Sequence, residues 1–205
     1  MARGYRYRAL WYAAYLLTVA PTAARADVGL PMIAVTLPAL LAALAPVIWI
    51  EAHYSLRRLG LPYRRALAVS AVGNAASTVI GVPIAWAVLA GLETLSGGFS
   101  RTYQLGTLSG KLLAVTWQSP WLYDYRDDLR WMVPAAALCL LVPFFLASVC
   151  IEYQVARRML SPHPRSTVLA AVWRANLLSY GLLAVLATAW LIRGLLTCGS
   201  THACS

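Results

Sequence analysis

The sequence predicts an all-α membrane protein whose four transmembrane helices form two tandem hairpins arranged as a parallel repeat. Three observations predict it. Of 205 residues, 60% are hydrophobic and only 12% charged, and the apolar residues gather in charge-poor runs of ~20, the length that crosses a hydrocarbon core. Arginines cluster beside those runs. A set of polar residues in the first half of the chain recurs, in the same order, in the second.

The net charge of +10 raises the question of nucleic acid, but all but one of the 17 basic residues are Arg, several in pairs flanking apolar runs. That is the distribution of membrane orientation signals rather than of a DNA-binding face. No nucleic-acid partner is expected; the partner is the lipid bilayer, with a homodimer or larger membrane complex as the protein-level alternatives.

Residues 1–26 read as a cleavable signal peptide. Arg3, Arg6 and Arg8 make a basic start, Ala9 to Ala20 a short apolar stretch, and Ala24-Arg25-Ala26 an A-x-A cleavage site. The other reading is a retained anchor helix, for which the apolar stretch is short. With cleavage, a mature chain of residues 27–205 begins outside the cytoplasm. Four spans are predicted, at about Leu30 to Ile50, Ala66 to Ala90, Trp131 to Ile151 and Thr167 to Ile192.

Loop charge then orients them. Arg57, Arg58, Arg64 and Arg65 lie between the first two spans, and Arg157, Arg158 and Arg165 between the last two, so both connections are expected in the cytoplasm of a bacterial inner-membrane protein. In segment 92–130, Arg101, Lys111, Arg126 and Arg130 balance Glu93, Asp124, Asp127 and Asp128. It is expected in the periplasm, at the membrane surface, with Trp117, Trp121, Tyr123, Tyr125 and Trp131 in an aromatic belt. The tail 193–205 is expected there too. Cys198 and Cys204 in it are a candidate disulfide, since that compartment is oxidising. Cys139 and Cys150 read as apolar fillers of the third span.

The repeat pairs Ile50-Glu51, Arg57-Arg58, Leu67-Ala68, Asn74 and Ser77 with Ile151-Glu152, Arg157-Arg158, Leu169-Ala170, Asn176 and Ser179. In each copy a span leaves at a Glu, a basic connection follows, and the next span carries Asn and Ser three residues apart. Such a pair shares one helix face. Both copies run in the same direction across the membrane, so the hairpins are expected to be related by a pseudo-two-fold axis along the membrane normal.

At ~1.5 Å per residue, Glu51 lies roughly 9 Å before Arg57 and Asn74 roughly 13 Å past Arg65, so the two meet at similar depth. Glu152 and Asn176 repeat this, and Arg174 would add a cation. The candidate intramembrane cluster is therefore Glu51, Asn74, Ser77, Glu152, Arg174, Asn176 and Ser179, in the cytoplasmic third of the bundle. Its structural alternative is interfacial carboxylates plus amides acting as interhelical glue. Gly73, Ser77 and Gly81 form a small-xxx-small face for close helix packing. Pro38, Pro46 and Pro83 invite kinks, while Pro31 falls in a first turn that tolerates it.

No catalytic, cofactor or metal motif is present: His53, His163 and His202 have no ligand spacing, and there is no nucleophile elbow or phosphate cradle. The chain is not expected to be an enzyme. The preferred expectation is an accessory or assembly component of an envelope complex. The alternative is a small proton-coupled transporter or channel built on the polar cluster.

Overall fold

A computed structural model describes residues 32–95, 103–122, 128–161 and 163–199. Residues 1–26, expected as a signal peptide, and Pro31, Tyr123, Tyr125 and Cys204 fall outside the described residues, as does the side chain of Cys198, and with them the candidate disulfide.

Among the described residues every regular element is helical. Helix α1 is Met32–Leu59. Helix α2 runs over Tyr63–Leu95, α-helical at both ends with a π-helical stretch at Ser77–Gly81. A short α3 (Leu108–Trp117) precedes α4 (Leu129–Met159) and α5 (Arg165–Gly199). All but α3 are long and apolar enough to cross a membrane. Large side chains such as Val79, Val88, Val142 and Val185 are exposed on their outer faces, a pattern that suits lipid and not water. These features make the chain an all-helical, multi-pass membrane protein.

The helices run past the predicted spans at the arginine-rich end, so most of the expected basic connections are themselves helical. Arg57 and Arg58 fill the last turn of α1, and Arg157 and Arg158 that of α4, where cations oppose the negative end of the helix dipole. Only Gly60, Leu61 and Pro62 join α1 to α2. Gly60 adopts φ +63°, the left-handed cap that glycine takes at least cost, Leu61 tucks into the core behind it, and Pro62 prevents further helix. Arg65 Nη2 donates to Met159 O at 2.9 Å, serving an end-of-helix carbonyl of the second hairpin from the first.

The helices form a ring in which α1 packs on α2, α2 on α4, α4 on α5, and α5 back on α1, while α1 and α4 barely touch. Along α4, Met132, Ala136, Leu140, Phe144, Ser148, Glu152 and Ala156 are all buried, as is Leu160 at its C-cap, one inward stripe at four-residue spacing. Its composition layers the interior. An apolar cluster around Ala136, Leu140 and Phe144 occupies one end and another around Ala66, Ala156 and Leu160 the arginine end. Ser148 and Glu152 fall between.

The predicted small-residue face of α2 meets α4. A Cβ on Gly73 would lie 3.3 Å from Glu152 Cγ, and one on Gly81 3.0 Å from Ile151 Cδ1, so both glycines hold the helices closer than a side chain would permit. Pro83 cannot donate to Val79 O, and its ring crowds that carbonyl. The helix widens just before it, Val82 N–H reaching back five residues to Ser77 O.

Helix α3 lies at the end opposite the arginines. Thr107 Oγ1 caps it by accepting from Gly110 N at 3.1 Å. Met32 N donates to Pro120 O at 3.1 Å, tying the start of α1 to this segment, and Trp121 meets Trp86 edge-on at 5.3 Å between centroids. The belt expectation is corrected for Trp131: it is buried, donates from Nε1 to Asp128 Oδ1 at 2.7 Å, and carries Lys111 over its ring. As the third residue of α4 it faces the covering segment instead of lipid. Helix α5 also continues well past the predicted boundary at Ile192.

Candidate functional site

Glu51 and Glu152 project into the middle of the ring from α1 and α4, each almost wholly shielded, at 3% and 6% exposure. An ionised carboxylate so placed demands donors. They arrive from both hairpins. Asn74 Nδ2 donates to Glu51 Oε2, with Ser70 Oγ 3.3 Å from the same oxygen. Across the ring, Ser179 Oγ of α5 donates to Glu51 Oε1 at 2.7 Å. Glu152 has the counterpart set: Asn176 Nδ2 donates to its Oε2 at 2.7 Å, and Ser77 Oγ of α2 to its Oε1 at 3.0 Å. Each glutamate thus takes an amide from its own hairpin and a hydroxyl from the other.

The local geometry follows from helical spacing. Asn74 and Ser77 are one turn apart, as are Asn176 and Ser179, so each pair shares a face with side-chain origins ~5–6 Å apart. The amides are steadied on their own helices, Asn74 Nδ2 by Ser70 O at 3.0 Å and Asn176 Nδ2 by Val172 O at 3.2 Å. The serines have a second acceptor each: Ser77 Oγ lies 3.1 Å from Asn74 O, and Ser179 Oγ 3.2 Å from Asn176 O. A hydroxyl carries one proton, so either serine can serve its glutamate or its own backbone, but not both at once.

Arg174 does not join this group and is corrected as a cluster member. It is exposed, because residues two apart on a helix point to nearly opposite sides, and Asn176 takes the inward one. The described contacts of the two carboxylates are accordingly with neutral donors alone. Asn176 Oδ1, fully buried beside Glu152, has no donor.

Sequence reasoning passed over three members of the same layer. Ser70 precedes Asn74 by four residues and Ser148 precedes Glu152 by four, so both lie on the inward face, a spacing legible in the sequence. Tyr180 follows Ser179, and its hydroxyl meets Ser148 Oγ at 2.8 Å. Asn74, Ser77, Thr78, Ser148 and Tyr180 contribute to the wall of a cavity of about 60 Å³ next to the carboxylates, polar enough and large enough for water.

Of the remaining sequence candidates, Cys139 is half-buried and Cys150 exposed on α4, both as free thiols. Among the described residues no three His, Cys, Asp or Glu side chains gather as a metal-binding group. In comparisons with known proteins, no family model, no curated protein and no solved structure matches this chain. A functional reading therefore rests on the residues themselves.

Proposed function

We propose that this chain is a small proton-handling protein of the bacterial inner membrane, a transporter or channel subunit that binds and releases a proton at Glu51 and Glu152. The observation that supports this most directly is a buried carboxylate pair met by neutral donors and by two serines with alternative acceptors. Each ionised group placed in hydrocarbon costs ~2.5 to 3.5 kcal/mol on insertion scales, and two like charges add mutual repulsion. Protonating one removes its own cost and the repulsion, and leaves a single charge shared with the neutral donors. The heavy atoms accommodate it in place: a proton on Glu152 Oε1 is donated to Ser77 Oγ, and the Ser77 hydroxyl turns to Asn74 O. Glu51, Ser179 and Asn176 O permit the mirror-image step. The neighbouring cavity supplies a place for the water that would deliver the proton.

Within this reading the two hairpins are tandem copies related by a two-fold axis, which accounts for the crossed serines. Residues 1–26 are a cleaved signal peptide, the arginine end is cytoplasmic, and both mature termini are periplasmic, as the density of arginine at one end favours. The test is infrared difference spectroscopy of the purified chain across a pH step, with Glu51→Gln and Glu152→Gln. A protonated-carboxyl band that appears in the wild type and is lost or halved in each variant is expected, together with loss of proton flux in proteoliposomes. Full flux in both variants would sink the carboxylate mechanism.

A second reading keeps the accessory or assembly role. It is favoured by the crossing of the hydrogen bonds, which join the hairpins and would serve a purely structural lock. A lock, however, needs only neutral groups, so Glu→Gln variants should then behave as wild type, and native mass spectrometry should recover a stoichiometric partner.

A further inference from the structure

Beyond the polar cavity, toward the end opposite the arginines, lies a larger apolar one. Its volume is about 160 Å³, close to that of a cavity that holds a single benzene ring. Helices α1, α4 and α5 wall it, and its one hydroxyl, Thr36, is already committed to Met32 O at 2.8 Å. Leu186 and Trp190, both exposed, form its outer lip. The two cavities share Leu40, Ala43, Leu141, Phe144 and Leu183 as common walls, so the apolar space adjoins the polar one and, behind Asn74 and Ser77, the two carboxylates.

We infer that this composite cavity binds an organic ammonium ion with one apolar ring or a short alkyl body. The inference rests on the proton-handling reading of the same carboxylates and names what would exchange with the proton. Chemistry at the two ends selects the ligand. The apolar chamber offers nothing to a polar solute and accepts a ring through dispersion and water exclusion. The other end is lined by Tyr180 and Ser148, whose hydroxyl oxygens meet at 2.8 Å, with the carboxylate pair behind Asn74 and Ser77 and no basic side chain among its described contacts. Those groups suit a cation, and in a low-dielectric interior the attraction reaches across an intervening side chain. An anion would be repelled, and a neutral hydrocarbon would leave the charged end unmet. As the ammonium ion enters, the protonated carboxyl gives up its proton to water of the polar cavity, which carries it out, and charge in the layer is conserved.

Isothermal titration calorimetry of the full chain in detergent tests this with benzyltrimethylammonium and its uncharged carbon isostere, neopentylbenzene. Saturable binding of the cation is expected, with the isostere weaker by at least about tenfold. Ala43→Phe, at the junction of the cavities, and Ala187→Phe, within the apolar one, should each weaken the cation by a similar factor. Two independent sites guard against one variant that fails to fold, and Ala187→Phe, which lies outside the polar cavity, should keep the pH-dependent carboxyl infrared band. No saturable binding, equal affinity for the isostere, or wild-type affinity in both Phe variants would overturn the inference. If the carboxyl band persists in the wild type while the cation fails to bind, the proton-handling reading stands and the ligand assignment falls. Absence of the band in the wild type removes both.

Discussion

Asn176 lies where two energy scales separate. Neutral interhelical hydrogen bonds in membranes average ~0.6 kcal/mol, whereas removing the partner of a buried group leaves ~1–3 kcal/mol of unmet desolvation, more for a charged one. Asn176→Leu strips Glu152 Oε2 of its 2.7 Å donor and should cost at least ~2 kcal/mol by thermal unfolding in detergent. A loss near ~0.6 kcal/mol would mark the amide as ordinary glue. Arg174→Leu, on an exposed side chain, should stay within about 0.5 kcal/mol. The Glu, Asn and Ser positions were legible because their spacing repeats between the two halves of the sequence. Arg174 is misplaced by depth along the helix because depth leaves azimuth open, and Ser70 and Ser148 escape notice because a hydroxyl carries no distinctive signal until the inward face is known from Asn74 and Glu152, each four residues on.

At the scale of elements, the α2–α4 contact depends on absent side chains. Gly73→Leu drives a branched chain into Glu152 Cγ, 3.3 Å from the first added atom, and Gly81→Leu drives one into Ile151. Overpacking of this kind costs ~1–3 kcal/mol. Gly73→Leu carries a further consequence, since Glu152 must shift away from Ser77. It should therefore lower the melting temperature and also alter the carboxyl infrared band, while Gly81→Leu should lower stability alone. Identical effects from the two would place no special weight on the Glu152 contact. Apolar runs and small-residue spacing announced these helices. Their extension through the arginines did not show, because a helix can leave the bilayer without changing its backbone, and hydropathy marks only the lipid-filled part. The π-helical stretch was likewise hidden: Pro83 signals a disturbed turn but not which of several adjustments absorbs it.

For the whole molecule, the ring order of the helices is what lets Ser77 of one hairpin reach Glu152 of the other while Ser179 reaches Glu51. This crossing does not follow from the expected repeat, which would put equivalent residues at equivalent depths but says nothing about how two copies face one another. In the proposed protonation step each of these contacts between hairpins is kept, with donor and acceptor exchanged. The proposed orientation has its own consequence. Seven arginines, among them Arg57, Arg65 and Arg158, mark the connections at one end, and transferring that end across an energised membrane would be opposed by the positive-inside bias. An alkaline-phosphatase-type reporter, active only outside the cytoplasm, should therefore be active when fused after Ser205 and inactive when inserted at Gly60. Changing Arg57, Arg58, Arg64 and Arg65 together to neutral residues should weaken that asymmetry, because the remaining cluster at Arg157, Arg158 and Arg165 would then fix only the second hairpin. Activity at Gly60 and silence after Ser205 would invert the protein in the membrane, and the arginine end would then face the proton-rich side.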